Sequence, residues 1–138
     1  MEPFRHTFRV RYAEVDPQSV VFNSRYLEYA DILVSEHFRE ARENGMPADV
    51  EFHVRRAVVD YIAPIRLEEL IEGRLTVESI GRSSMNTLIT LHGTDDGSLR
   101  AEIRLLTVHV DLPEGRPTPV PDEVRRAFGF PALEEAHG

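Results

Sequence analysis

One stripe of apolar residues constrains the fold more than any other feature of this chain. Tyr26, Tyr29, Ala30, Leu33, Val34, His37, Phe38 and Ala41 recur at spacings of three and four, which places them on one face of a helix. Asn23 or Ser24 stands where an N-cap belongs, and Asn44-Gly45 followed by Pro47 is a stop signal. The helix is therefore about five to six turns long at 3.6 residues per turn. A helix of that length must bury its stripe against something, and the remainder of the chain is mostly strand.

In "FRHTFRVRY" the residues Phe4, His6, Phe8 and Val10 alternate with Arg5, Thr7, Arg9 and Arg11, the pattern of a strand with one face buried. Further strands are predicted at 54–62, ended by Pro64, at 70–80, at 85–92 and at 99–111. The turn signal "TDDGS" at 94–98 makes the last two a hairpin. After the proline-rich "PEGRPTPVP", the segment "PDEVRRAFGF" reads as a short helix, and the tail "EEAHG" is expected to fray. Strand, long helix, then four strands is an α+β order. It is satisfied by an antiparallel sheet of about five strands wrapped round one central helix, as one domain over 1–138.

Composition removes several functions. All 16 basic residues are arginine, so a Schiff-base lysine and a P-loop lysine are both excluded. A net charge of −8 argues against nucleic acid as a partner. The absence of cysteine removes disulfides, thiolate ligands and a Cys nucleophile. No apolar run is long enough to span a membrane and "MEPFRHTFRV" lacks a leader pattern, so a cytoplasmic protein without a membrane partner is expected. None of the seven serines lies in a G-x-S-x-G elbow, and the histidines lack H-x-x-x-H spacing, so no metal is expected. Gly81 and Gly97 are isolated and form no dinucleotide fingerprint, and no cofactor is expected. Carboxylate chemistry is what remains.

Asp16 is the candidate with a physical argument behind it. In "EVDPQSVVFNSRYLEYAD" it is a loop carboxylate beside Val20, Val21 and Phe22, whose burial would desolvate it and raise its basicity. The helix starting near Asn23 offers unsatisfied N–H groups and the positive end of a dipole. Those donors suit the charge that develops on an attacked carbonyl. The pattern also fits a plain Asp-Pro turn followed by a cap at Asn23, a common arrangement, and it leaves both open.

Asp16, Val20-Val21, Asn23, Tyr26, Tyr29 and Asp31 together resemble the opening of the hotdog-fold acyl-CoA thioesterases of the 4-hydroxybenzoyl-CoA thioesterase branch. The resemblance continues through "VDYIAPIRLEELIEG", "IGRSSM", "LTVHVD" and "RPTPVPDEVRRAF", and so covers nearly the whole chain in order. It implies an antiparallel sheet wrapped round one helix, sheets paired into homodimers or homotetramers, and an active site at the dimer interface. It also implies that Asp16 attacks the thioester or activates water, while the backbone N–H near Asn23 polarises the carbonyl. The segment between the third and fourth strands would face the nucleotide of coenzyme A, which nominates Arg82, Ser83 and Ser84. Arg55, Arg56, Arg66, Arg100 and Arg104 are further candidates for its phosphates.

The chain departs from the family at two places. Ser19 stands where glycine often follows the aspartate by three residues, and Glu68-Glu69 replaces a glycine-aspartate pair. A neighbouring hotdog subgroup uses a carboxylate of the long helix, which makes Asp31, Glu28 and Glu36 rivals of Asp16. The expected activity is hydrolysis of an acyl-CoA to free acid and CoA. The alternatives are a non-catalytic acyl-CoA-binding protein on the same scaffold and, less fitting, a dehydratase using His37 or His53.

Overall fold

The computed structural model describes residues 2–133, and the tail at 134–138, expected to fray, lies outside them. The elements follow the expected order. They are β1 (Phe4–Arg9), a 3₁₀ turn (Tyr12–Glu14), α1 (Arg25–Glu43), β2 (Phe52–Tyr61), β3 (Leu70–Ile80), β4 (Ser84–Gly93), β5 (Leu99–His109) and α2 (Asp122–Ala127). Differences from the sequence reading sit at element ends. β2 begins at Phe52 rather than 54 because its ladder with β5 continues to the pair Phe52–His109, which is also where β5 stops. Ser24 holds the N-cap position but its side chain makes no cap bond, since its backbone is already helical.

The strands form one antiparallel sheet in the order β1-β3-β4-β5-β2. β1 and β2, neighbours in sequence, thus lie at opposite edges. The chain between them must cross four inter-strand spacings, about 19 Å. The 19 residues of α1, about 28 Å long, make that crossing over one face. The helix stripe then meets the inward-facing residues of every strand.

Tyr26, Tyr29, Ala30 and Leu33 are buried with Ile71, Leu75, Ile89 and Ile103 in the main core. The second half of the stripe, Phe38 and Ala41, packs with Met85, Val120, Val124 and Phe128 in a second cluster. Close approach of helix to sheet is set at Gly73. A Cβ there would stand 2.6 Å from Cδ2 of the fully buried Leu33, well inside van der Waals contact.

The two family departures have a backbone signature. Ser19 (φ 62°) and Glu68 (φ 66°) are the non-glycine residues of positive φ among the described residues. Both positions therefore keep the conformation that a glycine would adopt freely, at a cost of about 1–2 kcal/mol each. Glu68 makes its bonds through the main chain alone, its N–H donating to Val10 and its carbonyl accepting from Arg9. Glu68→Gly is expected to stabilise the protein by about 0.5–1 kcal/mol, the relieved strain exceeding the added freedom of the unfolded chain. Urea titration reads this directly, and Glu68→Ala, which keeps the strain, should show no such gain.

Candidate active site

The Asp16 loop is a tight antiparallel return. Phe22 N–H donates to Glu14 O at 3.0 Å, Val15 and Val21 pair, and Asp16 N–H donates to Val20 O at 2.9 Å. Pro17, Gln18 and Ser19 close the turn, with Ser19 N–H donating to Asp16 O. Val21 N–H donates to Ile65 O at 2.8 Å and Val20 pairs with Arg66, which ties the loop to the segment entering β3. On the other side, Glu14 Oε1 accepts from Arg11 N–H and from the Tyr29 hydroxyl at 2.9 Å. Burial and the Glu14 carboxylate push the Tyr29 phenol far above its ordinary range, so this hydroxyl stays a donor.

Asp16 is half-buried, and both sequence readings of it are met by different atoms. Oδ1 accepts from Gln18 N–H at 2.8 Å and from Val20 N–H at 3.4 Å, the local pattern of a turn aspartate. Oδ2 takes no hydrogen bond among the described residues. The apolar wall is only partly closed, because Val21 is buried while Phe22 is 52% exposed.

The helix start supplies free donors by peptide geometry. Phe22 C=O accepts from Arg25 N–H at 2.9 Å, and in a trans peptide the Asn23 N–H then points the opposite way. Asn23 C=O accepts from the Tyr61 hydroxyl at 2.9 Å and from Tyr26 N–H, which orients Ser24 N–H in the same manner. Neither Asn23 N–H nor Ser24 N–H has an acceptor among the described residues. Three residues of near-extended chain separate Val20, opposite Asp16, from Asn23, about 10 Å.

An apolar cavity of about 340 Å³ opens between α1 and the sheet, and it reaches toward the helix start only as far as Leu27. Leu27, Val34, Phe52, Val54 and Leu105 line it, and Leu27 lies one turn into α1 from Asn23. Asp31, exposed at its helix face, is also on its wall. The other two rivals on the helix are engaged elsewhere: Glu28 pairs with Arg25 at 3.0 Å and Glu36 with Arg39 at 2.6 Å. A second opening of about 630 Å³ at the far end of α1 shows no comparable pairing of a loop carboxylate with free amides among the described residues.

His37 borders both spaces, stacked on Phe128 at 4.8 Å and tilted against Phe4. It lies 12 residues beyond the start of α1, about 18 Å along the axis, so within one chain it does not share a site with Asp16 as a dehydratase histidine. His53, on β2, pairs with Glu51 instead. Burial lowers the His37 pKa to about 4. The unfolded chain takes up this proton near pH 6.5 and the folded chain near 4, so falling pH favours unfolding across that window. His37→Phe should remove about 2–3 kcal/mol of the stability lost between pH 7 and pH 4. Urea midpoints of both proteins across that range check it, and parallel curves would refute it.

Of the arginine candidates, two are committed. Arg100 forms a two-pronged pair with Glu69 at 2.8 and 2.9 Å, and Arg104 bonds Glu78 at 2.9 Å. Arg55, Arg56, Arg66 and Arg82 are exposed and make no side-chain ion pair among the described residues. Arg82 and Ser83 form the β3–β4 turn and Ser84 opens β4. The structure does not bring this turn to Asp16 within one chain. Asp16 lies at the Tyr61 end of β2, through the bond from Tyr61 to Asn23. The turn lies at the Phe52 end, where Ser84 pairs with Val108 and His109 with Phe52.

The sequence pattern of the thioesterase-like superfamily matches residues 10–128. The chain belongs to that superfamily. The acyl-CoA thioester hydrolase YbgC of Escherichia coli O157:H7 is 27% identical over 128 residues, 91% of this chain and 95% of that protein. A thioesterase from Thermus thermophilus, complexed with coenzyme A and Zn, is 27% identical with a TM-score of 0.78, over 94% of this chain and 99% of that one. A 1,4-dihydroxy-2-naphthoyl-CoA thioesterase from Synechocystis shares the fold at a TM-score of 0.80 and 17% identity, covering 91% of this chain and 95% of the other. The five-stranded sheet round one helix is the hotdog fold of this superfamily. No helix among the described residues is long and apolar enough to cross a membrane.

Tyr61 and Arg125 escape the sequence reading. Tyr61 acts through a hydroxyl that reaches 38 residues back in the chain, which no local pattern encodes. Arg125 is buried, and its only cue is a position three residues before the buried Phe128.

Proposed function

We propose that the protein hydrolyses acyl-CoA thioesters, with Asp16 supplying the base or nucleophile and the Asn23 N–H polarising the carbonyl. The observation that carries this reading is a half-buried carboxylate, one oxygen free among the described residues, in the same loop as helix-start amides that have no acceptor among them. The acyl group enters the 340 Å³ apolar cavity past Leu27. The amides, with the dipole behind them, bind the oxyanion better than the ground-state carbonyl. As a base, Asp16 takes a proton from water while that water attacks the carbonyl carbon, and the C–S bond then breaks to release the CoA thiolate. As a nucleophile, Oδ2 attacks the same carbon, thiolate leaves, and water cleaves the resulting anhydride.

The site is built from two subunits in this reading. β2 is an edge strand with Val54 61%, Val58 37% and Tyr61 54% exposed, an unpaired edge of the kind that adds a second strand. Antiparallel β2–β2 pairing across a two-fold axis sets the Phe52 end of one subunit beside the Tyr61 end of the other. The partner subunit's Arg82 turn then comes to the end that holds Asp16. CoA lies across the interface, thioester at Asp16 and nucleotide at Arg82, Ser83 and Ser84.

The test is thiol release from a panel of benzoyl, phenylacetyl, short-chain and long-chain acyl-CoAs. Turnover of at least one supports hydrolysis and names the acyl class. Saturable acyl-CoA binding without release would establish the non-catalytic binder instead. Single turnover in labelled water separates the two roles of Asp16: oxygen arriving first from the enzyme excludes the general-base route.

A further inference from the structure

Arg125 is among the most buried side chains of the protein, at 2% exposure, yet it forms no ion pair among the described residues. A cation so placed requires hydrogen bonds in place of water. It finds them on main-chain carbonyls: Nε donates to Val120 O at 3.2 Å, and one terminal nitrogen donates to Gly81 O and, at 3.1 Å, to Arg82 O. Two of these three carbonyls belong to the β3–β4 turn.

The rest of that turn is held the same way. Arg82 O also accepts from Val120 N–H at 2.8 Å, and Ser83 O accepts from His109 N–H at 2.7 Å. Three successive carbonyls therefore face into the protein. In trans peptides the N–H groups of Arg82 and Ser83 must then face away from it, and neither has an acceptor among the described residues. Two outward amides, the exposed Arg82 side chain and a buried guanidinium behind them gather partial and full positive charge at one turn. Arrays of this kind bind anions.

We propose that Arg125 is a positioning residue for the nucleotide of the substrate: it fixes the β3–β4 turn so that the Arg82 and Ser83 amides present themselves to a phosphate. This rests on the acyl-CoA reading above. Arg125 touches no substrate atom and acts through the turn. Lysine in its place would keep the charge but lose the planar fork that spans two carbonyls on one side and a third on the other.

The experiment compares two thioesters of the acyl group that the wild-type protein cleaves fastest, one on CoA and one on N-acetylcysteamine, which lacks the nucleotide. The wild-type protein should prefer the CoA thioester in kcat/KM. Arg125→Met and Arg125→Lys should shrink that preference about tenfold, through the KM of the CoA thioester, as expected for losing one charge-assisted contact. A brace with no role in binding would alter both thioesters alike, and an unchanged ratio in the folded variants overturns the proposal. If Arg125→Met does not fold, Arg125→Lys carries the comparison. Calorimetric binding of adenosine 3′,5′-bisphosphate separates this idea from the hydrolase reading. Weakened binding in the variants supports the turn even if no thioester is cleaved, and absence of binding to the wild-type protein overturns it.

Discussion

Replacing Asp16 by asparagine is expected to lower kcat by about 10²- to 10⁴-fold, the usual worth of a positioned base, with the fold intact. The substitution is close to surgical. Asparagine Oδ1 can still accept from Gln18 and Val20 N–H, so the bonds that shape the loop persist. What disappears is the negative charge and the oxygen that takes no donor among the described residues. Asp16→Ala removes the turn bonds as well, and should therefore lose stability as well as rate, by about 1 kcal/mol. A fall in kcat with little change in KM places the loss in the transition state rather than in substrate binding. Thiol release measured beside a thermal scan separates the outcomes. Activity that survives Asp16→Asn would move the chemistry to Asp31, a carboxylate on the wall of the apolar cavity.

The sequence carried the fold because its signals were periodic. The stripe from Tyr26 to Ala41 and the alternation in β1 each repeat one fact several times, and the observed burial follows them. Ends were less legible, since Phe52 and His109 are strand residues only because they face each other across the ladder. The site was legible in part. Asp16 and Asn23 lie in one loop, seven residues apart in sequence, so a local pattern placed them together. The Arg82 turn was legible as a turn, but not its position at the opposite end of β2, which follows from strand order. Ser19 and Glu68 show the reverse case: the residue type argues against a positive φ, and the surrounding hydrogen bonds impose it.

Arg100→Met is expected to cost about 2–4 kcal/mol of stability and to reduce turnover with it. The side chains of Arg100 and Glu69 are only 12% and 25% exposed. Their two-pronged contact is therefore not a surface ion pair of negligible worth. Glu69 lies well below the ordinary carboxylate range because Arg100 bonds it, and Arg100 is raised by the same contact. A depressed carboxylate stabilises the fold above its unfolded pKa. Its contribution fades as pH falls through the folded value, so the gap between wild type and variant should narrow in acid. The same guanidinium donates to Pro64 O at 3.0 Å, while Arg100 O accepts from Ile62 and Ala63 N–H. It thus pins residues 62–69, whose Ile65 O and Arg66 hold Val21 and Val20 of the Asp16 loop. Loosening this segment lets the carboxylate drift from the amides of the helix start, which is why rate should fall alongside stability. Glu69→Gln tests the assignment from the other side, because it leaves the buried guanidinium without its counter-charge. The double variant should then cost less than the sum of the two single ones. Additive losses in urea midpoint would show that the two side chains do not act as a pair, and the link from β5 to the Asp16 loop would have to run through the backbone bonds alone.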